Sequence, residues 1–192
     1  TGFQKYLWIK HPYLFEYTDP VAGIGYNRTI YTAFTGDEAL LNRAEAYVMK
    51  EDYTSALADL NLWTTNALVA SQCSPVLTLD SVKEWANGME YYKWDVPTPK
   101  KKINNPFVTV QEGSDLEAML QATLYIRRVE FLHYGMRFFD IKRHGIKIYR
   151  RQVGTALEIN KVLDSLEVND PRRALQLPKD VMYKGQPTNE LV

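Results

Sequence analysis

Apolar residues recur at helical spacing in three stretches of the chain. Leu40, Ala44, Tyr47 and Val48 stand three or four positions apart, and Thr35 with Glu38 has capping-box spacing. A helix is therefore predicted over residues 36–51. Ala56, Leu57, Leu60, Trp63, Ala67 and Leu68 share one side of a second helix over 54–69. The short link Glu51-Asp52-Tyr53 makes these two helices antiparallel neighbours. Leu116, Met119, Leu120, Leu124 and Phe131 form the stripe of a third helix, capped by Ser114 and Glu117 and running to Gly135.

The pattern is weaker elsewhere. Residues 1–34 read as loops and short extended pieces, punctuated by Pro12, Pro20, Gly23 and Gly25. Within them, residues 28–34 are β-branched and aromatic enough for a strand. Ser81 and Glu84 suggest a capping box for a short helix ending at Gly88. Residues 89–113 hold Pro97, Pro99 and Pro106 and read mostly as loop. Residues 136–150 continue as helix or turn. The last 40 or so residues are loop-rich, with a short helix expected after Pro178.

Charge narrows the function classes. The chain carries 23 basic and 23 acidic residues. A nucleic-acid binder neutralises phosphates with a basic excess, and this chain has none. The run Lys100-Lys101-Lys102 reads as a solvated stretch. Cys73 is the only cysteine, which rules out an internal disulfide or a cysteine-rich zinc site. The sequence has no run of about 18 apolar residues long enough to span a bilayer. The chain opens without a signal segment, inside an aromatic stretch, and reads as a fragment of something longer.

One charge stands out. Arg127 falls in the middle of the third helix's apolar stripe and Glu130 on its edge. A core-facing charge must be paired and hydrogen-bonded, with Glu130, Arg137 and Asp140 as the available company. Such a network reads as structural or catalytic. Arg cannot act as a base, and the nearby His133 projects away from the stripe. No Gly-x-Ser-x-Gly, His-Glu-x-x-His or phosphate loop occurs. The 13 tyrosines suit a wet binding surface or an ordinary core. Trp85, Tyr91, Tyr92 and Trp94 cluster in a loop-prone region, where each is a candidate for core packing or for stacking on a sugar ring.

Three segments carry a family resemblance. Asp37-Glu38-Ala39-Leu40-Leu41-Asn42-Arg43-Ala44-Glu45-Ala46-Tyr47 resembles the opening of the SusD/RagB repeat region. Arg127-Arg128-Val129-Glu130, then Gly135-Met136-Arg137-Phe138-Phe139-Asp140-Ile141-Lys142-Arg143-His144-Gly145, resembles that family's C-terminal hallmark. Asn169-Asp170-Pro171-Arg172-Arg173 with Gln176-Leu177-Pro178 resembles its closing segment. The resemblance covers about residues 20–187. It departs at Tyr134, where the family usually has Glu, at Glu51, where the helix-pair repeat prefers Gly, and in the tail after Pro187.

The resemblance implies a mainly α fold, in which tetratricopeptide-like helix pairs (here residues 35–70) pack with a loop-rich C-terminal region (114–192). Residues 1–192 are then the C-terminal portion of a SusD/RagB-like protein, a surface lipoprotein of the outer membrane. Such a protein binds an oligosaccharide, or in some members a peptide, and passes it to a SusC-like TonB-dependent transporter without catalysis. Neither a cofactor, a metal nor a nucleic acid is implied, and membrane attachment is through a lipid anchor outside this sequence. The family's hallmark residues stabilise the fold, while its ligand contacts lie on variable loops. The alternative is a tetratricopeptide-like adaptor that binds protein and no glycan.

Overall fold

The computed structural model describes residues 14–30, 32–71, 73–91, 100–155 and 158–175. Among these stand five helices and two antiparallel two-stranded sheets, 43% helix and 18% strand. The protein is therefore mixed α/β, which corrects the mainly α, tetratricopeptide-like expectation. The difference arises largely after residue 147. There, two runs hold β-branched and aromatic residues, among them Ile148, Tyr149, Val153, Ile159 and Val162, that favour extended backbone.

The chain divides into two units, residues 1–38 and 39–192. In the first, β1 (Leu14–Asp19) pairs antiparallel with β2 (Ile24–Arg28). Asp19 Oδ1 accepts the Val21 and Ala22 N–H groups, each at 3.0 Å, and Gly23 supplies a φ of +68° to close the turn. The expected strand over 28–34 thus lies mostly beyond the observed one.

Helices dominate from Gly36 to Arg143. α1 (Gly36–Met49) begins where Thr35 Oγ1 accepts the Glu38 N–H at 3.1 Å. α2 (Tyr53–Ala67) is capped by Asp52, whose carboxylate accepts from the Ser55 N–H. Arg43 holds Asp59 with two hydrogen bonds, of 2.8 and 2.7 Å, tying one helix to the other. Ala44 and Ala56 are fully buried, and Tyr47 packs against the same core. Glu51, in the link, has a φ of +59°. That backbone conformation is why glycine suits this position.

α3 (Leu79–Asn87) starts one turn earlier than the sequence spacing suggests, because Thr78 and Ser81 form the capping box. α4 (Asp115–Glu130) is the central helix, buried from Leu116 to Leu124 without a break. Each fully buried Met119 or Leu120 contributes about 1.5–3 kcal/mol. α5 (Met136–Arg143) follows a turn in which His133 and Gly135 have φ of +68° and +77°. β3 (Ile148–Val153) and β4 (Ile159–Leu166) form the second hairpin, with irregularities after Arg150 and Gln152.

A 3-10 turn, Pro171–Arg173, closes the described chain. Arg173 is buried, and its guanidinium donates to the carbonyls of Ile141, Ile146, Leu166 and Glu167 at 2.5–3.2 Å. One side chain thus joins the end of α5 to the end of β4. The expected helix after Pro178 lies outside the described residues.

Candidate functional site

Arg127 is 2% exposed and sits in a buried polar network. Its Nε and Nη2 donate to Asp140 Oδ1 at 3.1 and 3.0 Å, and its Nη1 donates to Asn42 Oδ1 at 2.6 Å. Arg143 bridges Asp140 at 3.0 Å and Glu45 at 2.7 Å. Asp140 is one of the companions the sequence offers for Arg127, alongside Arg137 and the i, i+3 neighbour Glu130. Glu130 instead accepts the Trp63 indole N–H at 3.1 Å.

His144 is fully buried and completes the network. Asn105 Oδ1 already accepts the Phe107 N–H at 2.8 Å, so its amide nitrogen faces His144 Nδ1 at 3.2 Å. Nδ1 must then accept, which leaves the ring proton on Nε2, donating to Glu45 Oε1 at 2.9 Å. Burial alone pushes the Glu45 carboxyl up. The His144 hydrogen bond and the charges of Arg143 and Arg127 outweigh it, so the carboxyl titrates below its ordinary value. The network joins α1, α4 and α5, has its principal donors and acceptors matched within the protein, and therefore reads as scaffold. Gly145 follows with a φ of +54°, and a Cβ there would collide with the Asn104 carbonyl. Gly135 and Gly145 thus both hold backbone that other residues adopt at a cost.

An apolar groove of about 320 Å³ runs between α2, α3 and α4. Trp63, Val82, Trp85, Tyr125, Ile126 and Val129 form most of its wall. Trp85 is 38% exposed and meets Tyr125 edge-to-face, with ring centroids 5.5 Å apart. The Thr64 hydroxyl is engaged with the Pro75 carbonyl, and the Ser81 hydroxyl with the Thr78 carbonyl. The lining of the groove is therefore mainly apolar.

Of the four residues proposed from sequence, Trp85 lines this groove and Tyr91 does not. The Tyr91 hydroxyl bonds Glu117, and Lys100 Nζ stands 4.5 Å from its ring centroid and 3.3 Å from Glu117. Burial pushes the Glu117 carboxyl up, while the Gly113 N–H at 2.8 Å pulls the other way. Lys100 and Glu117 are both buried, so the first residue of the lysine run is not solvated as its sequence suggests. Tyr92 and Trp94 lie outside the described residues.

Sequence reading missed Tyr125, Ile126 and Val129. They lie off the main stripe of α4, and only the i, i+4 spacing of Tyr125 and Val129 hints at a second apolar face. Among the described residues, no group of His, Cys, Asp and Glu is placed to hold a metal, and no helix is long and apolar enough to cross a membrane. No family model, curated protein or solved structure matches the chain.

Proposed function

We propose that this chain is the ligand-binding part of a SusD/RagB-type nutrient-uptake protein, and that it takes an oligosaccharide in the groove between α2, α3 and α4. The observation that carries the reading is the half-exposed Trp85 set against Tyr125 at the groove. Flat aromatic faces stack on the apolar faces of sugar rings, and a few polar edges fix orientation. The groove's volume lies at the lower end of the range for small-ligand sites, which suits a short stretch of glycan. The motif resemblance supplies the context: a lipid-anchored protein at the outer-membrane surface that hands its ligand, unchanged, to a TonB-dependent transporter.

The mainly apolar lining favours one second reading, in which an aromatic or aliphatic side chain of a peptide enters the groove. A glycan array and a peptide array probed with the wild-type chain separate the two. Retention on glycans alone supports the first reading and retention on peptides alone the second. Release of reducing sugar from a bound glycan would contradict binding without turnover.

A further inference from the structure

We propose that the groove between α2, α3 and α4 selects sugars that carry a methyl group, on an acetyl substituent or as the methyl of a deoxy sugar, over fully hydroxylated ones. This selectivity rests on the glycan reading above and adds a substrate class to it. Five side chains of the lining can hydrogen-bond: Trp63, Thr64, Ser81, Trp85 and Tyr125. Three of them are already engaged within the protein. The Trp63 indole N–H donates to Glu130 Oε2 at 3.1 Å. The Thr64 hydroxyl donates to the Pro75 carbonyl. The Ser81 hydroxyl donates to the Thr78 carbonyl and accepts the Thr78 N–H, both at 2.9 Å. The rest of the lining is aliphatic, with Val82 and Ile126 buried and Val129 half-exposed.

A sugar hydroxyl pressed against this wall gives up water and gains few partners in return, which is unfavourable. A methyl group has no hydrogen bonds to lose, and its burial against Val82, Ile126 and Val129 is favourable. The groove's volume of about 320 Å³ exceeds that of a methyl group, so part of the ring that carries it can enter too. Trp85 and Tyr125 are partly exposed, as is Val129. The groove is therefore open to water, where the remaining hydroxyls of the sugar keep their solvent partners. The aromatic pair supplies the stacking face, and the aliphatic wall supplies the discrimination. One methyl group more or less against an apolar wall changes affinity by about tenfold or more.

The test is isothermal calorimetry of the whole chain against two matched pairs of sugars. Triacetylchitotriose and cellotriose share a β-linked glucose backbone and differ in carrying an acetamido or a hydroxyl group beside each anomeric carbon. L-Fucose carries a methyl group where L-galactose carries a hydroxymethyl group. At least one methyl-bearing sugar should bind about tenfold or more tightly than its partner. The pair that shows the difference assigns the source, acetyl or deoxy. Val129→Asn puts an amide on the half-exposed part of the wall, and should bring that ratio toward one with the thermal midpoint near the wild-type value. Equal affinities within both pairs, or tighter binding of the hydroxylated members, would overturn the selectivity and leave the glycan reading standing. Binding of neither methyl-bearing sugar would also overturn it, and the glycan reading falls as well only if the array retains no glycan. A ratio unchanged by Val129→Asn would overturn it too, because the preference would then arise outside the groove.

Discussion

Replacing Arg127 with Met is the sharpest test of the buried network. Met keeps much of the apolar stem volume, so the cavity contribution stays small. The guanidinium, however, disappears from a site where Arg127 is 2% and Asp140 1% exposed. Asp140 then keeps Arg143 at 3.0 Å as its charged partner, and the Arg143 side chain is 43% exposed. Asn42 loses its 2.6 Å donor, and Glu45 loses a positive charge at 3.6 Å. Stranding a buried carboxylate in this way costs about 3–5 kcal/mol. Removing the stranded charge as well should recover part of that loss, so Arg127→Met with Asp140→Leu should be less destabilised than Arg127→Met alone. Urea denaturation monitored by tryptophan fluorescence measures both variants. A midpoint unchanged by Arg127→Met would refute the reasoning. So would a double variant that loses the sum of the two single losses.

Other positions give smaller, independent tests. The Glu45 carboxyl titrates below its ordinary value of 4.5 in the folded chain, so its contribution is complete above that pH and is lost as pH falls through the folded value. Glu45→Gln should therefore be less stable than wild type at neutral pH, with the gap closing in acid; a gap constant with pH would contradict the ion-pairing account. Arg173→Lys replaces a fork that serves four carbonyls with a single ammonium, and should cost about 1–3 kcal/mol in a chemical melt. Glu51→Gly relieves a left-handed backbone and should raise stability by about 0.5–1 kcal/mol; a loss would show that the Glu51 side chain contributes more than the strain it incurs.

Helical periodicity is enough to locate α1, α2 and α4, because each has a clear apolar side, and capping residues add the starts of α1 and α4. Arg127 was legible as a buried charge for the same reason: it interrupts an apolar stripe. The rest of its network was less so. Asn42, Glu45 and His144 lie 85, 99 and 39 residues from their partners Arg127, His144 and Asn105, and tertiary packing alone brings them together. The hairpin of β3 and β4 was hidden because its strands are short, half-exposed and irregular, so their alternation is broken. Trp85 was found as an aromatic near a loop. Its partner Tyr125 was not, since a tyrosine on the second face of a helix looks like any surface tyrosine.

The central claim is that the Trp85 and Tyr125 pair binds glycan. Isothermal calorimetry of wild type, Trp85→Ala and Tyr125→Ala against a glycan retained on the array tests it most directly. The account predicts measurable wild-type affinity and a loss of about tenfold or more in each variant. Thermal midpoints should stay near the wild-type value, since a half-exposed aromatic costs less to remove than the roughly 3–5 kcal/mol of a core tryptophan. Equal affinity in all three proteins, or no glycan bound by the wild type, would contradict it.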